Sequence, residues 1–397
     1  MPDYLPFLFV LALFAIILHD DTVITLFYLL AGVYFVSRWW RDRSLKAVRF
    51  KRDYTDRAFL GEQVKVRLEV QNTDWLPVVW LRLHDSLPVE LAAHQFFQEV
   101  VTLGPRELRE FSYTLETYKR GYYRIGPLLI YTGDLLGLSE EQDRHGPPDY
   151  LTVYPHILPL TSLSLPSHSP LGTLRHTQPI FEDPTRVTGK RDYVSGDSLR
   201  RVDWKATAVA GRLQVKQFEP SIALETMIVL NLNAAEYEAR SRYDASELAI
   251  VIAASIANWV AAKKQAVGMV VNGADPLSDD RRPGSLPARK GRQHLMRLLD
   301  VLARIKLAES GSPLPDVLRR ESVHLSWGTT LVIVTGVADE ALFDALFQAR
   351  RGGLDAVLIL TSPAAGFQET RRRVEHMGVK VYHLTREPDL DIWRRCA

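Results

Sequence analysis

The chain has 397 residues, too many for one ordinary core, and that length points to two globular units with additions. Lys+Arg 49 against Asp+Glu 47 leaves no global field to draw in a polyanion, so a nucleic-acid partner is not indicated. The single cysteine, Cys396, excludes an internal disulfide and any multi-cysteine metal site and fits a reducing compartment.

Residues 1–45 read as a transmembrane helical hairpin with a basic juxtamembrane segment. Residues 4–18 (YLPFLFVLALFAIIL) and 22–36 (TVITLFYLLAGVYFV) are uncharged apolar runs parted only by His19, Asp20 and Asp21. Each is a little under the roughly 17–25 residues that span a bilayer, and flanking residues with Trp39 and Trp40 at the interface make up the length. Between Arg38 and Arg57 eight basic residues stand against three acidic ones, while the tip of the hairpin is acidic. The positive-inside rule then places everything after residue 40 in the cytoplasm, in a multi-pass protein of the cytoplasmic (inner) membrane that contacts lipid through residues 4–40.

Residues 46–155 alternate apolar and polar side chains with a period of two in runs such as VKVRLEV, VVWLRL and EFSYTL, broken by Asn72-Thr73-Asp74, Leu103-Gly104-Pro105 and Ile125-Gly126-Pro127. This predicts an antiparallel β-sandwich of immunoglobulin-like or fibronectin-like size. Its corner, Lys119 to Pro127, serves as turn chemistry or as a ligand groove lined by Tyr122, Tyr123 and Arg124, which keeps a carbohydrate- or lipid-binding module open. Residues 156–186, rich in Pro, Ser, Thr and Leu, read as an extended linker.

Residues 187–223 are the most distinctive segment: KRDYVSGDSLRRVDWK packs charges of both signs, aromatics and a glycine, in neither a clean strand nor a clean helix. The arginines at 191, 200 and 201 either pair with Asp192, Asp197 and Asp203 around Trp204 as an internal clasp, or present a docking surface with Arg and Trp as anchors. A hydrolase built on Asp197, Asp203 and Arg200 is the enzymatic alternative, and it lacks a nucleophile with its base, a metal set and a cofactor loop.

In residues 224–397, apolar runs at 226–232, 267–271, 330–335, 356–360 and 379–384 alternate with helix-like stretches at 244–264, 289–307, 338–348 and 366–377. That spacing predicts a mostly parallel, doubly wound α/β sheet. No strand leads into Gly-x-x-x-x-Gly-Lys-(Ser/Thr) or Gly-x-Gly-x-x-Gly, so no nucleotide is expected.

The motif Arg191, Tyr193, Gly196, Asp197, Arg200, Asp203, Trp204, Lys205 resembles the signature of a prokaryotic family catalogued as domain of unknown function fifty-eight (DUF58). The Arg-Gly-Tyr-Tyr-Arg-Ile-Gly-Pro and Asp-Leu-Leu-Gly-Leu corners and Val153-Tyr154-Pro155 extend the resemblance over nearly the whole chain. It implies a C-terminal von Willebrand A-like (Rossmann-like) domain, whose typical metal site reads Asp-x-Ser-x-Ser after the first strand and Asp after a later one. Here those positions hold Asn231, Asn233, Ala235 and Gly336, leaving no carboxylate for a hard cation, so neither metal nor cofactor is expected. The resemblance further implies a non-enzymatic scaffold or adaptor whose protein partner is a MoxR-type AAA+ ATPase, working in assembly or maturation of membrane or envelope complexes.

Overall fold

The computed structural model describes the chain apart from residues 1–4, 19, 92–97, 134–139, 146–147, 162, 164–181, 196, 221–224, 279–283, 364–366 and 395–397. It divides into two compact units, Met1–Pro155 and His156–Ala397.

The first unit begins with α1 (Leu5–Leu18) and α2 (Asp21–Ala47), packed on each other as a hairpin. Asp20 caps α2 by accepting from the Thr22 N–H at 2.7 Å. α1 has 14 residues, about 21 Å at 1.5 Å per residue, whereas α2 runs for 27 and is long and apolar enough to cross a membrane. α2 continues past the apolar run because its last turns have a face to bury. Ser37, Arg41, Ser44 and Leu45 recur at helical spacing and are buried, and Trp40 Nε1 donates to Pro77 O at 3.0 Å. The helix is thereby fused to the β-sheets that follow it.

Those are β1 (Val48–Asp53), β2 (Arg57–Phe59), β3 (Gln63–Asn72), β4 (Val78–Asp85), β5 (Gln98–Leu103), β6 (Leu108–Glu116), β7 (Gly121–Ile125), β8 (Leu128–Gly133), β9 (Glu140–His145) and β10 (Asp149–Tyr154). They form sheets of order β1-β3-β6, β2-β10-β7 and β5-β4-β8-β9. The pairing is antiparallel with one exception: β2 runs parallel to β10, a correction to the fully antiparallel expectation. Alternation along β3 shows why the layers close. Val64 and Val66 pack with Leu115, Leu151 and Val153, while Leu68 and Val70 pack with Leu81, Leu83 and Ile130, so one face of one strand serves both neighbouring sheets. Between them Arg52 is buried and pairs with the fully buried Asp85 at 2.7 Å and with Asp149. Asp85 also accepts from the Tyr113 hydroxyl at 2.5 Å. Gly126, at φ +86°, lies so close that a Cβ there would stand 3.2 Å from Arg52 Nη2. The Gly-Pro corner is thus shaped around a buried guanidinium. The Asp-Leu-Leu-Gly-Leu corner lies outside the described residues.

In the second unit the expected linker is partly structure. Leu158 and Leu163 are buried, Leu158 N–H donates to Ser255 Oγ at 3.0 Å, and the Thr161 hydroxyl donates to Trp393 O, so burial of the apolar residues ties the segment down. β11 (Glu182–Asp192) also starts inside it and pairs antiparallel with β12 (Gln214–Pro220), with α3 (Trp204–Ala210) between them.

The remainder is an α/β region of β13 (Glu225–Leu230), α4 (Arg242–Ala262), β14 (Ala266–Val271), β15 (Gly284–Arg289), α5 (Arg292–Arg304), α6 (Leu314–Ser322), β16 (Thr330–Thr335), α7 (Glu340–Arg351), β17 (Asp355–Leu360), α8 (Phe367–His376) and β18 (Lys380–His383). The sheet order is β15-β14-β13-β16-β17-β18, parallel apart from the edge strand β15. Met227 and Val229 face the cluster built by α6, α7 and Val374, while α4 and α5 lie against the sheet outside that cluster. α4 is also long and apolar enough to cross a membrane, but it is mostly buried, as befits a helix apolar all round inside a core.

Candidate functional site

The family-like signature is an arm in which ion pairs tie β11 to the segment between its two strands. Arg191 Nη1 and Nη2 each donate to a different Asp197 oxygen at 2.7 Å, and the Val194 N–H donates to Asp197 Oδ2. Hydrogen bonding from Arg191 holds the Asp197 carboxyl below its ordinary value. Asp203 caps α3 through the Ala206 N–H at 3.1 Å and pairs with Lys190 at 3.0 Å, which lowers its pKa likewise. Asp192 is met by Arg212 at 2.9 Å and by Gln214. Tyr193 donates its backbone N–H to Leu213 O, and Val202 bridges Val215 in a small buried contact. Gly211, at φ +68°, ends α3 in the left-handed conformation that turns the chain into β12.

The ion pairs of the arm include Arg191 with Asp197, as the spacing suggested, together with partners it did not suggest. Arg191 pairs with Asp197 and Arg201 also acts on that carboxylate, while Lys190 and Arg212 join them as partners of Asp203 and Asp192, because the hairpin register brings residues near 190 opposite those near 215. Trp204 is not enclosed by these pairs: it is 68% exposed. α3 buries none of its residues, Val209 is 86% exposed, and Val194 and Leu199 are also exposed. Arg200 and Lys205 point outward beside them, whereas Gly196 lies outside the described residues. Asp197 and Asp203 spend their oxygens on the arm itself.

A second polar cluster occupies the C-terminal ends of β13 and β16. Strand order reverses there, since β13 connects through α4 to β14 on one side while β16 lies on the other, and open α/β sheets bind ligands in such crevices. Three asparagines meet there, each oriented by a backbone donor: Asn233 N–H to Asn231 Oδ1 at 3.1 Å, Leu232 N–H to Asn272 Oδ1 at 2.6 Å, and Ala235 N–H to Asn233 Oδ1 at 3.3 Å. With the oxygens fixed, the amide nitrogens must find acceptors. Asn231 Nδ2 donates to Glu236 Oε2 at 2.6 Å and Thr335 Oγ1 at 2.8 Å. Asn272 Nδ2 donates to Asn231 Oδ1 at 2.8 Å and Ser312 O at 3.0 Å, and Asn233 Nδ2 reaches Glu236 Oε1 at 3.4 Å.

Glu236 also accepts from the Leu314 N–H at 3.0 Å, so its carboxylate gathers donors from three places in the sequence. Burial raises its pKa, and those same donors oppose the rise. Sequence reading missed Glu236 and Asn272. A carboxylate five residues after Asn231 was the available signal for the first, while Asn272 is linked only through the sheet.

These residues do not fit a hard cation. Asn231 aims an N–H where a metal ligand would aim an oxygen, Ala235 offers no donor atom, and the Glu236 oxygens are already engaged. Gly336 sits where a Cβ would lie 2.5 Å from Tyr237 Cδ1 and 2.7 Å from Glu236 O, so no carboxylate side chain has room there. Tyr237 is held over it by a 2.5 Å hydrogen bond to Asn231 O. At the corner between β7 and β8, where the ligand groove was expected, Tyr122 stacks on Tyr150 with centroids 4.8 Å apart, and the Tyr123 hydroxyl donates back to Lys119 O at 2.8 Å.

The family model described as protein of unknown function DUF58 matches residues 189–358, which hold most of the arm and the sheet through β17. The chain is 25% identical over 306 residues to the uncharacterized protein YeaD of Bacillus subtilis, covering 76% of this chain and 72% of that protein. It is 30% identical over 122 residues to the uncharacterized protein Rv1480 of Mycobacterium tuberculosis, 30% of this chain and 36% of that one. Among solved structures, the CARDB domain of the PF1109 protein from Pyrococcus furiosus aligns at TM-score 0.22 and 15% identity, covering 27% of this chain and 91% of that domain. Trypsin-activated alpha-2-macroglobulin from Escherichia coli aligns at TM-score 0.25 and 13% identity over 40% of this chain and 9% of its own. The chain's likeness to known proteins thus centres on a DUF58 match across residues 189–358, with relatives that are themselves uncharacterized.

Proposed function

We propose that the chain is a non-catalytic scaffold of the cytoplasmic membrane, anchored by α1 and α2 as two passes, that docks a MoxR-type AAA+ ATPase through its arm during assembly or maturation of a membrane or envelope complex. In this reading the first unit carries an immunoglobulin- or fibronectin-like sandwich. The second is a von Willebrand A-like module in which the amide–carboxylate network has taken the place of a metal. The carrying observation is the outward face of the arm: Trp204, Val209, Leu199 and Val194 stand in water on a framework already stiffened by ion pairs. A rigid exposed tryptophan among apolar neighbours has the character of an interface anchor. Between Lys190 and Lys216 seven basic residues stand against three acidic ones, which favours an apolar partner groove with an acidic rim.

The test is binding of a purified MoxR-type ATPase to the full chain in detergent, measured as a dissociation constant. Trp204→Ala and Val209→Asp should each weaken it tenfold or more while unfolding temperature stays put. Wild-type affinity in both variants, or no complex at micromolar concentrations, defeats the reading. Membrane fractionation and protease accessibility of the second unit from the cytoplasmic side test the anchor separately.

A further inference from the structure

Where α2 leaves its apolar run, the structure forms an open cleft of about 520 Å³ lined by Trp39, Asp42, Arg43, Lys46, Thr73 and Asp74. The volume falls in the range of small-molecule sites. Its depth follows from helix geometry: Asp21 to Trp40 spans about 30 Å at 1.5 Å per residue, the thickness of a hydrocarbon core. With α2 across a bilayer, the cleft begins where that core ends. Trp39 is 51% exposed at its upper edge, the placement of an interfacial aromatic ring.

The polar lining carries both signs, and some of its valence is spoken for. Arg43 gives Nε and Nη2 to Asp74 at 2.5 and 3.2 Å, using two of a guanidinium's five donors, and lies over the Trp39 ring at 5.7 Å. This pairing fixes the wall between the helix and the β3–β4 loop. Among the described residues Asp42 accepts from Arg41 through Oδ1. Lys46, one turn beyond Asp42 on the same helix, is exposed and makes no ion pair among the described residues. A cationic Lys46 beside the remaining donors of Arg43, with a carboxylate oxygen of Asp42 a turn away, matches a ligand that carries a phosphate and a primary ammonium a few bonds apart.

We infer that this cleft binds the headgroup of a phosphoethanolamine lipid, with Lys46 and Arg43 on the phosphate and Asp42 on the ammonium. The site requires the membrane anchoring proposed above and does not involve the arm. A loose ligand of this kind would fix the depth and tilt of α2, and with it the β-sheet unit fused to its end.

The experiment is native mass spectrometry of the full chain released from detergent after equilibration with equal amounts of dioleoyl phosphatidylethanolamine, phosphatidylcholine and phosphatidylglycerol. The expected result is a preferred ethanolamine-lipid adduct, reduced about tenfold by Lys46→Ala and restored by Lys46→Arg. Asp42→Asn should retain lipid but lose the preference over phosphatidylcholine, whose quaternary ammonium has no N–H to donate. An adduct indifferent to Lys46→Ala overturns the site, and equal occupancy by the choline lipid in the wild-type chain overturns the ammonium contact. Displacement by an equal concentration of inorganic phosphate would make the ligand a free anion and overturn the lipid assignment. Failure of the anchor would appear instead as a chain absent from the membrane fraction.

Discussion

Asn231→Asp probes whether the crevice is held by amide donors. The substitution replaces an N–H that reaches Glu236 Oε2 at 2.6 Å with a second carboxylate oxygen. Two ionised oxygens at that separation repel by about 6 kcal/mol at an effective dielectric of about 20. Protonating one carboxyl of ordinary pKa near 4 at pH 7 costs about 1.4 kcal/mol per pH unit, or about 4 kcal/mol, so proton uptake is the cheaper escape and caps the penalty. Burial already raises the Glu236 pKa, so the penalty falls below that cap. The sign follows from linkage. The shared proton is held in the folded state and released on unfolding, so the pair's folded pKa lies above its unfolded value. Its contribution is complete below about pH 4 and is lost as pH rises through the raised folded pKa. The variant should therefore fall short of wild type by up to about 4 kcal/mol at pH 7 and by no more than about 1.4 kcal/mol at pH 5. For a unit of this size, calorimetry of the full chain in detergent should show the α/β transition lowered by up to about 8–16 °C at pH 7 and by about a third of that at pH 5. A deficit that is absent, or that grows toward pH 5, would refute the reasoning.

Three further outcomes follow from packing. Gly336→Ala drives a methyl into Tyr237 and the Glu236 carbonyl, at 2.5 and 2.7 Å, and should cost about 1–3 kcal/mol in the same calorimetric transition. Arg52→Ala strands Asp85, which is wholly buried, and should destabilise the first unit by about 3–5 kcal/mol; urea unfolding that matches wild type would show that water or a rearranged partner had replaced the guanidinium. Trp204→Ala, at a site 68% exposed, should move stability by no more than about 0.5 kcal/mol, so a large drop in melting temperature would mean the tryptophan belongs to the fold rather than to an interface.

Much of the architecture is written locally. The two-residue alternation of β3 and the all-apolar runs of β13, β16 and β17 depend on neighbours along the chain, and each lies within two residues of where the pattern puts it. β15 and α6 were not legible for the same reason. GSLPAR has no period and carries a proline, as an edge strand tolerates, and α6 opens among Pro313 and Pro315 with only nine residues. In the arm, the charges suggested a clasp or a docking surface, and hairpin register added Lys190 and Arg212 to the pairing of Arg191 with Asp197.

The sequence by itself determined where apolar surface must be buried, which segment bears an uncovered hydrophobic helix, and that the expected metal positions hold Asn231, Asn233, Ala235 and Gly336. Only the tertiary structure decided what those positions do instead. An asparagine can point an oxygen or an N–H toward a given spot. The choice here is forced by the backbone N–H groups of Leu232, Asn233 and Ala235 and by Asn272, which the parallel sheet carries in from 41 residues away. The same dependence on distant strands placed Arg52 beside Asp85 and Asp149, because a buried charge is tolerated only where the fold supplies its counterions.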